Sequence, residues 1–391
     1  MKTVLKRISA LLITLALTAF FYTPAAAEIT PVRDYGGLNY YIKDGEAVIT
    51  GYSDPLTAYR CFIPESLDGC PVTEIADRSF YGAEYLYEMI LPETVRVIGA
   101  YAFGECPALK IINCENIEII GDYAFANCTA LDLISLSEVI SIGNNAFYNC
   151  TSLTGAYLGT QLKSIGNSAF ENCISIHVMR FPASLQSIGS LAFRGTSLRE
   201  ALLPAGLTEL GDSAFYCVST LETVRLPEQL TEIKRGVFYN CKSLRHITIP
   251  DSVKTIEALA FSRTALESIV IPDSVTQIGE WSFQYCEQLK TVTLPRSVNQ
   301  IGDFCFYECA SLTLKCHKSS SADSFAAENG IPVRYFYDLN SDGEINIKDF
   351  IRLKKHLAFG NADITEDADA NSDSRIDSLD LAAFRRIMLG L

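Results

Sequence analysis

A phenylalanine returns every 22 or 23 residues along most of the chain, at Phe80, Phe103, Phe125, Phe147, Phe170, Phe193, Phe215, Phe238, Phe261, Phe283 and Phe306. A fixed period of this length is the signature of a solenoid, whose units are too small to bury an apolar face alone and bury it against their neighbours. The same pattern surrounds each phenylalanine, written most plainly as Leu86, Met89, Leu91-Pro92, Val95, Ile98-Gly99, Ala102-Phe103 and Cys106. Most of the chain is therefore one stacked array.

Within a unit, alternating Leu221, Val224 and Leu226 predict a short strand, closed by Pro227, which has no N–H to give to a ladder. Stacking should align these strands as one long parallel sheet. The glycine after the isoleucine (Gly99, Gly121, Gly143, Gly166, Gly189, Gly211, Gly279 and Gly302) suits a turn that needs positive φ or close backbone approach. The Ala-Phe segment then forms a convex element. This pattern, over roughly residues 58–318, resembles the BspA-type leucine-rich repeats of bacterial surface proteins. The resemblance implies an α/β solenoid with a parallel sheet on one face. Lys234 and Glu257 replace the glycine, and Thr196 and Thr264 replace the cysteine, as tolerated variation.

Both ends of such an array need covers. Upstream, in 28–57, alternation from Gly37 to Tyr52 around Asp44-Gly45 predicts a capping hairpin. Downstream, 319–335 reads as a cap and linker: helical spacing from Ser321 to a stop at Gly330, then Ile331-Pro332-Val333. The first 27 residues carry Lys2, Lys6 and Arg7, an apolar run from Ile8 to Phe21, and Ala25-Ala26-Ala27, the layout of a secretory signal peptide. No later stretch approaches the roughly 20 apolar residues of a membrane span, so a secreted, extracellular chain beginning near Glu28 is expected.

Thirteen cysteines in a secreted chain would ordinarily suggest disulfides. Here Cys106, Cys128, Cys150, Cys173, Cys217, Cys241, Cys286 and Cys309 are read as one slot of the repeat, a ladder of buried thiols whose parallel Cα–Cβ vectors disfavour bridging. Cys305 falls in the alanine slot and Cys114 in the strand-leucine slot. Cys61 with Cys70 is the pair best placed for a disulfide.

After residue 335 the repeat stops. The first acidic loop sets Asp338, Asn340, Asp342, Asn346 and Asp349 at positions 1, 3, 5, 9 and 12, with Gly343 at 6 and Ile345 at 8. The second sets Asp369, Asn371, Asp373, Asp377 and Asp380 likewise, with Ser374 in place of the glycine. Hard oxygens at alternate positions of a tight turn converge on calcium as in an EF-hand loop, so two calcium ions are expected. Each loop leads into one helix, about Ile347 to Phe359 and Ser378 to Leu389, burying Phe350, Ile351 and Leu353, or Leu381, Phe384 and Ile387. Two such units over 336–391 resemble a dockerin domain, a small all-α module that docks into a cohesin module of a cellulosome scaffoldin. The resemblance implies backbone carbonyl ligands from Glu344 and Arg375. It also implies a cohesin-binding surface of Ile347, Lys348, Lys354, Lys355, Ser378, Leu379, Arg385 and Arg386. Ile347-Lys348 and Ser378-Leu379 differ from each other, which argues against a symmetric two-way binding mode.

No catalytic constellation is visible. The four histidines, His177, His246, His317 and His356, are scattered, and a regular solenoid offers a broad face instead of a cleft. Cys305, Cys309, Cys316 and His317 have an unusual spacing for zinc. The balance of 46 acidic against 32 basic residues excludes a phosphate-tracking nucleic-acid binder. What remains is the solvent side of the strands, more apolar in its first half, where Ile111, Leu133, Tyr157, Val178 and Arg180 make a candidate patch for a protein, cell-surface or plant-wall ligand. The sequence thus reads as a secreted non-catalytic binding protein docked into a cellulosome-like complex. A host- or cell-directed adhesin, or an enzyme carrying a dockerin, are the alternatives.

Overall fold

The computed structural model describes residues 33–53, 59–359, 368 and 376–389. The expected signal peptide lies outside the described residues, as do Asp369, Asn371, Asp373, Ser374 and Arg375 of the second loop. The chain opens with an antiparallel meander of strands Arg33–Tyr35, Leu38–Lys43 and Glu46–Tyr52. Its second turn places Asp44 at φ 51° and Gly45 at φ 80°, the left-handed pair that a two-residue hairpin loop requires. Strand Glu46–Tyr52 then pairs in parallel with Cys70–Ile75, and so starts the solenoid ladder.

Most coils contribute two short strands, though the segments holding residues 178–180 and 246–248 form none, and the longer ladder is not the one the leucines suggest. The two-residue rungs Val97–Ile98, Ile119–Ile120, Ser141–Ile142, Ser164–Ile165, Ser187–Ile188 and Glu209–Leu210 continue without interruption from the meander. The leucine strands instead fall into separate sheets: Arg60–Phe62 with Glu88–Ile90 and Ile111–Ile112, Leu133–Leu136 with Gly155–Leu158, Glu200–Leu202 with Thr223–Arg225, and a run from Ser268–Val270 to Val333–Tyr335. The expectation of one long leucine-strand sheet is therefore corrected. Where Ile111–Ile112 ends, the Asn113 side chain takes the N–H and donates to the C=O of Leu91 in the preceding coil, at 2.8 Å each, and substitutes an amide for the next rung on that side.

Close approach, not positive φ, explains the repeat glycine. A Cβ on Gly121 would lie 2.6 Å from the Ala100 nitrogen of the preceding coil, and one on Gly211 2.4 Å from that of Ser190. Left-handed backbone falls two residues later, on Tyr101, Tyr123, Asn145, Ser168 and their equivalents. Only in the coil where Lys234 replaces the glycine is that later position itself a glycine, Gly236 at φ 60°. There the isoleucine ladder stops, between Leu210 and Ile233. The neighbouring phenylalanines are also farthest apart at this junction, Phe215 and Phe238 at 5.9 Å. Lys234 thus marks the widest junction of the column. At Glu257 the ladder persists, Ile233 pairing with Thr255–Ile256.

The eleven phenylalanines form a single column, consecutive rings near parallel from Phe80 on Phe103 (5.3 Å, 4°) to Phe283 on Phe306 (5.4 Å, 18°). Helix α1 (Ser321–Asn329), capped by Ser320 and ended by left-handed Gly330, closes the column by laying Phe325 edge-on to Phe306. Alongside runs the thiol ladder. Cys106, Cys128, Cys150, Cys173, Cys241, Cys286 and Cys309 each donate to the carbonyl of the preceding coil's phenylalanine, at 3.0 to 3.3 Å. Cys217 does not belong to it. Val218 fills that slot, and Cys217 sits one position earlier at φ 59°, accepting from Asn240. All thirteen cysteines are free thiols, so the expected Cys61–Cys70 bridge is absent.

No linker separates the body from the tail. Val333–Tyr335 pairs with Thr313–Cys316 as the last strand of the solenoid. Phe336 and Tyr337 follow directly, His317 stacks on Phe336 at 4.6 Å, and Lys318 reaches the Gly343 carbonyl at 2.8 Å and the Glu344 carboxylate at 3.1 Å. Helices α2 (Ile347–Phe359) and α3 (Ser378–Met388) close a small core around Tyr337, Leu339, Leu353, Ala368 and Phe384. Ile351, expected in that core, is 44% exposed. Phe350, Leu353 and Leu357 carry the buried stripe, and Ile351 points away from it.

Candidate binding face and cation loop

Two columns of side chains stand out from the leucine strands because alternate strand residues face opposite sides. Leu133, Tyr157 and Val178 are 66%, 64% and 54% exposed, and Ile111 also stands in solvent. Leu133, Tyr157, Val178 and Arg180 surround a shallow depression of about 280 Å³, floored by Gly155, Ala156 and Met179. Ile111 lies outside its lining. Gly155 makes the hollow, since its strand pairs Leu133 with Gly155 and Tyr157 with Ser135, leaving a missing side chain beside large ones. The Arg180 guanidinium has no ion pair or hydrogen bond among the described residues, whereas Arg60, Arg194 and Arg245 are held by Glu88, Glu171 and Glu267.

Farther along, the same columns carry Thr223, Arg225, His246, Thr248, Ser268, Thr291 and Thr293, with Val270 the only large exposed aliphatic among them. Sequence reasoning missed the first rung of the face. Phe62 pairs in register with Ile90 and is 59% exposed, beside Tyr59 stacked on Tyr87 at 5.0 Å. The available signal was Cys61 and Ile63-Pro64, a copy of Met89 and Leu91-Pro92.

In the first tail loop, each inward side chain accepts N–H groups of its own turn. Asp338 takes Gly343 N–H at 2.9 Å, Asn340 takes that of Asp342 at 2.8 Å, and Asp342 takes that of Glu344 at 3.0 Å. Asp349, fully buried at the start of α2, accepts from Leu339, Asn340 and Asn346. The second unit repeats this entry to a helix. Asn346 accepts from Lys348 N–H at 2.9 Å as Asp377 does from Leu379 at 2.7 Å, and Asp349 accepts from Asn346 N–H as buried Asp380 does from that of Asp377, at 2.8 and 2.7 Å. Glu344 is exposed on the outer side of the turn. Ile347, Lys348, Lys354 and Lys355 on α2, and Ser378, Leu379, Arg385 and Arg386 on α3, all stand in solvent.

Among the described residues no three His, Cys, Asp or Glu side chains are gathered as a metal site. Cys316 is buried and His317 lies flat on Phe336, so the cysteines near it are not brought together with it. In the first loop the carboxylates rest on backbone N–H groups. Burial pushes Cys106 and Cys305 up to about 12 and Cys61 and Cys316 up to about 11, leaving these four thiols little thiolate at neutral pH. Two further hollows, about 590 Å³ beside Glu232, Glu257 and Glu280 and about 350 Å³ between the last coil and α1, are lined by no histidine. No described helix is long and apolar enough to cross a membrane.

Comparison with known proteins agrees with this architecture. A model of the BspA type leucine rich repeat region, of six copies, matches residues 63–159, 140–265 and 254–387. A leucine rich cell surface protein from Faecalibacterium prausnitzii A2-165 is 26% identical with a TM-score of 0.50, over 76% of this chain and 97% of that one. A leucine-rich repeat protein from Bacteroides ovatus ATCC 8483 is 25% identical with a TM-score of 0.44, over 80% of this chain and 100% of that one. No curated protein matches, and no catalytic family is indicated.

Proposed function

Because the chain belongs to the BspA type leucine-rich repeat family, we propose that it is a secreted, non-catalytic binding protein that holds a ligand on its leucine-strand face and attaches through its tail. The observation that carries the reading is the open sheet itself: exposed Leu133, Tyr157 and Val178 around one depression, on a scaffold whose histidines and thiols are dispersed or buried. Arg7, the apolar run from Ile8 to Phe21 and Ala25-Ala26-Ala27 support export.

The tail acts as a dockerin, bound to a cohesin module in a cellulosome-like complex, and it needs calcium. The donor set fits that ion: Asp338, Asn340, Asp342, Asn346 and Asp349 present hard oxygens at alternate positions, and Asp338, Asn340 and Asp342 already turn inward on their own backbone. Glu344 adds a backbone carbonyl. The second set is Asp369, Asn371, Asp373, Arg375, Asp377 and Asp380, of which Asp377 and Asp380 match the first unit's geometry. Calcium would supply the charge that draws the loop oxygens together, fixing α2 and α3 for docking by Ile347, Lys348, Lys354, Lys355, Ser378, Leu379, Arg385 and Arg386. The test is capture of the full chain on an immobilised cohesin module in calcium and in chelator. Capture lost in chelator and in the Asp338→Ala/Asp369→Ala variant supports the reading; capture that survives both removes the dockerin assignment. The cell-surface description of the Faecalibacterium relative favours a second reading, an adhesin whose tail serves surface attachment alone.

A further inference from the structure

The depression on the leucine-strand face has a definite chemistry. Its walls are Leu133, Tyr157 and Val178, its floor Gly155, Ala156 and Met179, and its one charged group is Arg180. In a chain of net charge −14, a cation at the rim of an apolar hollow is an exception, and this one is unpaired among the described residues. Glu200, on the next coil of the same face, makes no ion pair with it. The pairing of Arg60 with Glu88, register partners on adjacent coils of the same face, shows that directly opposed positions form such a pair where the sequence provides one.

Resting on the reading of this face as a binding surface, we propose that its occupant is a polypeptide segment with a bulky apolar side chain close to a carboxylate. The apolar group fills the space that Gly155 leaves between Leu133 and Tyr157, and the carboxylate takes the planar, two-pronged donor set of Arg180. The Tyr157 ring supplies contact area at small conformational cost. Charge complementarity selects this occupant over a basic one, since a lysine or arginine beside Arg180 meets like charge without a compensating acid.

The full-length chain, incubated on an array of immobilised 12-residue peptides, tests this. The array pairs Leu or Phe with a neighbouring Asp or Glu, and its controls replace the acid by Lys or remove the apolar residue. The chain should be retained on the acidic apolar peptides at least about tenfold over the lysine controls. Arg180→Glu should reverse that preference, and Gly155→Leu, which fills the hollow from a half-buried strand position where an added Cβ meets only ordinary contacts, should abolish retention on both. Retention on lysine peptides that equals or exceeds that on acidic ones, and is lost in Tyr157→Ala, overturns the proposed occupant but leaves the face a binding surface. Retention nowhere overturns both. Intact solenoid far-ultraviolet dichroism in each variant separates these outcomes from misfolding.

Discussion

Cys128 in the body and Asp349 in the tail are both fully buried and both serve backbone groups, but in opposite senses. The thiol donates to one carbonyl, that of Phe103 at 3.1 Å, and the bond recurs along the column wherever a cysteine follows the phenylalanine by three residues. The carboxylate accepts three N–H groups from a turn that encloses it, and its counterpart is Asp380 in the second unit. The body therefore spreads its order over many equivalent, neutral contacts between neighbouring coils. Among the described residues the tail concentrates its order in two buried carboxylates and a core of five buried side chains. Damage should stay local in the first and spread through the whole unit in the second.

The largest effect should come from breaking the column. Phe170→Ala removes a fully buried ring stacked on Phe147 and Phe193, at a cost of about 3–5 kcal/mol. Urea unfolding should then split into separate transitions for coils on either side, and a single shifted transition would count against nearest-neighbour behaviour. Asp349→Ala should cost roughly 2–3 kcal/mol by leaving buried N–H groups without their acceptor. Amide exchange should show the tail losing protection as a unit while the body keeps its pattern. Loss of protection in the coils would break the contrast.

Two smaller effects sharpen it. Gly121→Ala pushes a methyl against the Ala100 backbone and should cost about 1–3 kcal/mol. Lys234→Gly should tighten the junction where the ladder stops and slow exchange at Ile233. Alkaline pH should act on the body more than the tail. An unfolded thiol loses its proton near 9.0, while buried Cys106 and Cys305 keep theirs to about 12. Between those values the folded state binds more protons than the unfolded one, so stability is flat below about pH 8 and falls as pH rises above about 9. Cys106→Ala with Cys305→Ala should reduce that slope in urea titrations.

Much of this was legible in the chain. The phenylalanine column, the hairpin turn at Asp44-Gly45, the stop at Gly330 and the bounds of α2 follow from period, turn chemistry and capping, all local properties. The Cys217 slot was misread because the residue type fits while the count from Phe215 is one short; position within the coil outweighs composition. Ile351 was misplaced because three consecutive apolar residues leave the helical phase ambiguous, and the docking of α2 on Phe384 settles it. The candidate patch follows from strand alternation, which also turns Gly155 outward, but Gly155 stands outside the patch read from sequence, because a missing side chain becomes a hollow only when its neighbours are in place.

By itself, the sequence determined that the chain is a stack, how long each coil is, which residues line its core and that the tail is a different kind of unit. These rest on periodicity and on short-range spacing, which one chain carries in full. Only the tertiary structure decided which of the two ladders runs longer, that it stops between Leu210 and Ile233, that Val333–Tyr335 completes the solenoid sheet instead of linking it to the tail, and that Arg180 stands unpaired among the described residues. Each depends on distances of a few ångströms between residues some 19 positions or more apart, which packing sets and adjacent sequence does not.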